Sequence, residues 1–185
     1  DFTYLRGRAT ATAKVTLTSP SLYANLWSPT HSREAYPTLD AFLEDVAAIT
    51  RDEIAELARL GCTYIQLDAP HYPLLIDAGT RAFYESQGWS VENWLDRGIE
   101  LDNWVMQGHP DVTFGFHLCR GNQGSRWLAS GGYEPIARRV FTGVAAHRLL
   151  LEYDDERSGS FQPLEHVPEA VAGYVAHGLE IHRQR

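Results

Sequence analysis

Two side chains two residues apart, His117 and Cys119, stand at the end of a run, Val112-Thr-Phe-Gly-Phe-His-Leu118, that alternates and is rich in β-branched and aromatic residues. Such a run predicts a buried strand, and residues i and i+2 of a strand share a face. An imidazole and a thiolate side by side suit zinc, a borderline-soft ion that takes nitrogen and sulfur. Two ligands do not make a site, so what matters is which further groups reach the same place. Asp68 closes a second apolar run, Cys62 to Leu67, and Glu152 lies near the end of a third, His147 to Tyr153. If these are successive parallel strands, Asp68, His117, Cys119 and Glu152 all lie at carboxyl ends, where groups converge on one mouth in an α/β barrel. Three donors of the nitrogen, sulfur and oxygen type, plus a fourth, make a zinc site. The alternative role for Asp68, less favoured by its place at a strand end, is to cap the turn that follows it.

The elements that must position these residues follow from periodicity. Thr12 to Thr18 alternates like a strand and ends in the loop signal Ser19-Pro20-Ser21. Asn25 to Pro37 reads as a long structured loop, with Trp27 as a packing residue. Thr38 caps a helix whose Leu39, Phe42, Leu43, Val46, Ile49, Ile54, Leu57 and Leu60 recur at helical spacing, and Gly61 stops it. Cys62 to Leu67 then starts at once, an α-to-β step typical of a parallel sheet, with Cys62 as a core thiol. A short helix is expected over Gly79–Gly88. Another runs from the Ser90 cap to about Met106, with Trp94, Leu95, Ile99, Leu101 and Trp104 as its apolar stripe. Arg120 to Arg126 is a Gly-rich polar loop, matching neither a P-loop nor a dinucleotide fingerprint. Tyr133 to Val144 is an amphipathic helix. The expected fold is α/β: a partial (β/α)8 (TIM) barrel, or a small open parallel sheet, with about four parallel strands and crossover helices.

The bulk numbers exclude several classes. The 185 residues suffice for one domain but are short of the roughly 250 of a complete eight-fold barrel. With 24 Asp+Glu against 16 Lys+Arg the net charge is -8, which disfavours nucleic-acid binding through phosphates. No apolar run approaches a membrane span, and no signal-peptide pattern is present. Cys62 and Cys119 lie in separate strands and form no disulfide framework, so a cytoplasmic location is expected.

Tyr64-Ile-Gln-Leu-Asp-Ala-Pro70, His117-Leu-Cys-Arg-Gly-Asn122, Gly131-Gly-Tyr-Glu134 and Leu150-Leu-Glu-Tyr-Asp-Asp155, in that order, resemble the catalytic domain of cobalamin-independent methionine synthase, and more nearly its short single-domain relatives. The resemblance covers about Ala11 to Pro168. It implies a TIM barrel and a zinc-dependent transfer of a methyl group to a thiol amino acid such as homocysteine, with a folate as donor. It also implies zinc bound by His117, Cys119 and Glu152, and Asp68 helping to hold the amino group of the thiol substrate.

The departures from the family shape further expectations. Nothing after Cys119 is cysteine, so the family's second cysteine ligand has no counterpart; His177 and His182 have the chemistry to replace it. Ala69 stands where the family often has Glu. Residues 169–185 differ from the family's hydrophobic strand, and its opening elements before Ala11 are absent. The chain is therefore expected to be one partial barrel domain: a lead-in over 1–11, a family-like part over 12–168, and a divergent tail. It is expected to be an internal piece of a larger enzyme, with open sheet edges that favour an oligomer or a barrel-completing partner. Two other readings stay open: a zinc alkyltransferase acting on another thiol, and an inactive binding subunit.

Overall fold

The computed structural model describes residues 1–86, 90–153, 156–172 and 176–177. A short helix, α1 (Phe2–Arg6), precedes the first strand and buries Phe2, so the lead-in is tied to the core. Strand β1 (Val15–Thr18) runs into a 3-10 segment, Pro20–Leu26. Then come α2 (Leu39–Arg59), β2 (Tyr64–Asp68), the short α3 (His71–Leu74), α4 (Ala78–Ser86), α5 (Val91–Met106) and β3 (Thr113–Leu118). A small hairpin, β4 (Asn122–Gln123) and β5 (Arg126–Trp127), leads to α6 (Glu134–Gly143) and β6 (Arg148–Leu151). The last described elements are α7 (Glu169–Ala172) and β7 (Ala176–His177).

The helices form for local reasons. Thr38 Oγ1 accepts the Ala41 amide at 3.1 Å, satisfying one orphan donor of α2, and Asp40 complements the dipole at that end. At the other end the Cys62 amide donates to Leu57 O and the Gly61 amide to Ala58 O, a Schellman closure. It needs a left-handed residue, which Gly61 supplies at φ +86°. Ser90 Oγ caps α5 in the same way as Thr38, from the Asn93 amide.

Strands β1, β2, β3, β6 and β7 form one sheet in that order, every neighbouring pair parallel. This agrees with about four parallel strands and adds a fifth of two residues. Sequence neighbours are spatial neighbours throughout, with no reversal of winding. Right-handed crossovers then place the helices on a single face, and α2, α5 and α6 pack side by side there. That is how a (β/α)8 barrel is wound, and an open doubly wound sheet is not.

The two faces of the sheet have opposite chemistry. Ile65, Leu67, Phe114, Phe116, Leu118, Leu149 and Leu151 are fully buried and alternate along their strands toward the helices. Each such side chain contributes about 1.5–3 kcal/mol by burial. The intervening residues Tyr64, Gln66, Asp68, His117 and Arg148 share the other, polar face. Gly115 lies among them, and a Cβ there would meet Leu150 Cδ1 at 2.8 Å and the Tyr64 ring at 3.3 Å. Its missing side chain lets those two groups approach across β3.

Some expected features turned out differently. Ile49 is 68% exposed, off the buried face of α2 formed by Leu43, Ala47, Ile54 and Leu57. Trp104 is 40% exposed, with the Arg51 guanidinium 4.8 Å over its ring, so it belongs to the edge of the α5 stripe. The loop after Cys119 contains the hairpin: Gly124 and Ser125 both have positive φ, the geometry of a two-residue turn between short strands.

Candidate functional site

Register alone brings the candidate residues to one end of the sheet. Asp68 pairs with His117 and Leu118 with Leu151, so the ends of β2, β3 and β6 are level. His117 Nδ1 lies 2.9 Å from Asp68 Oδ1, with the two side chains 27% and 37% exposed. Gln66 Nε2 reaches the same Asp68 oxygen at 2.6 Å, and Lys14 Nζ donates to Gln66 Oε1 at 2.8 Å. Burial alone raises the Asp68 pKa. The hydrogen bonds from His117 and Gln66, with the positive charge of Lys14, outweigh it and leave the carboxyl below its ordinary value. Both of these hydrogen bonds fall on Oδ1.

Beyond His117 the chain turns through Cys119 into Arg120, whose side chain is wholly buried. Its guanidinium donates to three carbonyls from three segments: Gly131 O at 2.7 Å, Glu152 O at 2.7 Å and Ser158 O at 3.0 Å. It also lies 4.1 Å from the centre of the Tyr133 ring. Tyr133 OH donates to Leu118 O and accepts the Glu152 amide, tying the ends of β3 and β6 together. Gly131-Gly-Tyr133 therefore supplies both a carbonyl for Arg120 and the hydroxyl that bridges the two strands.

The Glu152 carboxylate is already engaged. Oε2 accepts the Arg120 amide at 2.8 Å, and Oε1 pairs with Arg157 Nη2. Arg157 also donates to Asn122 Oδ1 at 3.0 Å and stacks on Trp127. Neither cysteine is in a disulfide, and Cys62 is buried with its thiol toward Tyr64 O.

These placements bear on zinc. The donor types of His117, Cys119 and Glu152 suit the ion, and their strands are adjacent. Yet among the described residues no three His, Cys, Asp or Glu side chains are gathered closely enough to hold a metal. Glu152 points at its arginine partner, so the residues as positioned do not fit the expected ligand set. His177 ends β7 beside Leu151, but its side chain is outside the described atoms; His182 lies outside the described residues.

Beneath the mouth is a buried polar cluster that periodicity did not disclose. Asp102, on the apolar face of α5, accepts Ser19 Oγ at 2.7 Å, Tyr72 OH at 2.7 Å and Ser21 Oγ at 3.3 Å. Ser21 Oγ also meets His71 Nε2 at 2.7 Å. Burial pushes the Asp102 pKa up to about 7 despite hydrogen bonds from Ser19, Tyr72 and Ser21, and pushes His71 down to about 3. The serines follow β1 and the aromatic pair follows β2, so Asp102 fixes the two loops that flank Asp68. Because the carboxylate bonds the serines and not the imidazole, the group is no nucleophilic triad. The available signal was a lone Asp inside an apolar helical stripe. For Gln66 it was a polar residue between Ile65 and Leu67.

A singly wound parallel sheet with its polar groups at the carboxyl ends defines part of a (β/α)8 barrel, and relatives agree. No protein-family model matches the chain. The methionine synthase of Pyrococcus abyssi (strain GE5 / Orsay) is 36% identical over 162 residues, 83% of this chain and 39% of that protein. YxjH of Bacillus subtilis (strain 168), an uncharacterized protein, is 32% identical over 158 residues, 85% of this chain and 41% of its own. The solved structure of a B12-independent methionine synthase from Shewanella sp. W3-18-1, in complex with selenomethionine, matches with a TM-score of 0.60 at 20% identity. That match covers 90% of this chain and 42% of the solved one. The motif resemblance is thus borne out: homologues of this chain include cobalamin-independent methionine synthases, and the solved structure that shares its fold is a TIM barrel. The chain spans about two fifths of the length of these relatives. No described helix is long and apolar enough to cross a membrane.

Proposed function

We propose that this chain carries part of the site of a methyltransferase that moves a methyl group, from a folate donor, to a thiol amino acid such as homocysteine. The observation that carries the reading is the level register of Asp68, His117 and Leu151, which puts a carboxylate, an imidazole and the Glu152 segment at adjacent strand ends. Similarity to proteins named methionine synthase supports the choice of reaction. In this reading Asp68 holds the ammonium of the substrate, and Oδ2, which accepts no hydrogen bond from the described residues, is the atom for it. His117 and Cys119 are the two zinc donors on β3 and its continuation, and Glu152 joins them only by leaving Arg157.

Metal analysis of the purified chain against Cys119→Ser tests the reading. The expected result is partial zinc in the native chain and less in the variant. Equal metal in both, or none in the native chain, overturns the zinc assignment. Turnover of homocysteine is expected only with the rest of a barrel present, because effective molarities of about 10⁵ M or more depend on a complete set of walls. A second reading, a binding subunit that completes a barrel with another chain, is favoured by the engagement of Glu152 with Arg157 and Arg120. Absence of metal together with concentration-dependent sedimentation supports that one.

A further inference from the structure

A line of hydrogen bonds crosses the polar face from strand to strand. Lys14 Nζ, just before β1, donates to Gln66 Oε1 at 2.8 Å. Gln66 Nε2 on β2 donates to Asp68 Oδ1 at 2.6 Å, and His117 Nδ1 on β3 stands 2.9 Å from that oxygen. Chemistry determines the direction of every bond. An ammonium has donors and no lone pair, so the amide atom facing Lys14 is the oxygen and the NH2 faces Asp68. A carboxylate only accepts, so the ring nitrogen turned to it carries the proton. A neutral imidazole has one N–H, and its other nitrogen then holds the lone pair.

We infer that Lys14 and Gln66 are positioning residues for His117, acting through Asp68 to hold the ring in its Nδ1–H form with a bare Nε2 at the mouth of the sheet. A bare nitrogen is what binding a metal ion or accepting a proton demands, and outer partners of this kind set tautomer and ring orientation in such sites. Gln66 is only 7% exposed between the buried Ile65 and Leu67. A buried amide is costly unless both ends are bonded, and both ends are. The Tyr64 ring, 5.5 Å from Lys14 Nζ and 4.9 Å from the Arg148 guanidinium, limits where the ammonium can go. The inference deepens the reading of His117 as a working group of the proposed site, but its test needs neither metal nor substrate.

The test is long-range ¹H–¹⁵N spectroscopy of the imidazoles in the 185-residue chain at a pH of about 8.5, where an ordinary imidazole is neutral. His117→Gln assigns the signals. The native chain should show Nδ1 protonated and Nε2 bare. Gln66→Met should lower the ratio of the Nδ1–H to the Nε2–H form by about tenfold, the scale of one charge-assisted hydrogen bond. Lys14→Met should lower it by about threefold, and Lys14→Arg should restore it. Lys14 is exposed, so its variants report even if Gln66→Met fails to fold. A native ring protonated at Nε2 overturns the inference. So does an unchanged ratio in folded Lys14→Met. If zinc and methyl transfer are absent while the ratios behave as stated, the proposed function falls and the positioning role stands.

Discussion

Arg157 and Glu152 form an ion pair whose side chains are only 4% and 13% exposed, between the end of β6 and the 3-10 turn Glu156–Ser158. Breaking such a buried pair by removing one partner leaves a charge without its counter-ion and costs about 3–5 kcal/mol. Glu152 would keep its bond from the Arg120 amide, so Arg157→Met should lie near the lower figure, about 3 kcal/mol. Urea unfolding measures it, and a loss below about 1 kcal/mol, the level of an exposed pair, would show that the pair is not the lock described.

Arg120→Lys should be destabilising although the charge is kept. The planar fork of Arg120 reaches Gly131, Glu152 and Ser158 carbonyls at once, and a lysine ammonium on a thinner stem cannot span the three. The expected loss is about 2–4 kcal/mol, from stranded buried carbonyls and lost stacking on Tyr133. Equal unfolding midpoints for variant and native chain would contradict this.

Stability should depend on pH through two buried groups of opposite sign. Asp102, raised to about 7 by burial, keeps its proton in the folded chain while the unfolded chain loses it near the ordinary carboxyl value. Its contribution is therefore full in acid and is lost as pH rises from about 4 to about 7. His71, lowered to about 3 by burial, stays neutral while the unfolded chain protonates. Its contribution is full above about 6.5 and is lost as pH falls toward 3. Between about pH 4 and 6.5 the two slopes oppose each other. Asp102→Asn should leave the rising limb alone, so its unfolding midpoint should climb relative to the native chain over that window. Parallel profiles of the two proteins would refute the assignment.

Gly98→Ala should overpack the cluster beneath the mouth. A Cβ at Gly98 would lie 2.5 Å from Tyr72 OH and 3.2 Å from Ser21 Oγ. The expected cost is about 1–3 kcal/mol. Tyr72→Phe removes the clashing oxygen, so the double variant should lose less than the sum of the two single losses. Strict additivity in a double-mutant cycle would sink the packing argument.

Much of the frame was legible without coordinates. The Thr38 and Ser90 caps, the Gly61 stop, the apolar run Cys62–Leu67 and the alternation in Val112–Leu118 are local signals, readable because capping and strand pleat involve residues at most a few positions apart. Placing Asp68 and His117 at neighbouring carboxyl ends followed from those runs together with the helical crossovers between them, which make successive strands parallel. Tertiary packing decided the rest. Ser19 meets Asp102 across 83 residues and Arg120 meets Glu152 across 32, and no periodicity encodes which polar groups find each other at such separations. Glu152 lies at the strand end its pattern indicated, yet its carboxylate turns to Arg157, because a buried guanidinium nearby must be neutralised and hydrogen-bonded. Ile49 has the spacing of a core residue but faces solvent, since spacing defines a helical stripe while the width of the neighbouring surface determines how much of that stripe is covered.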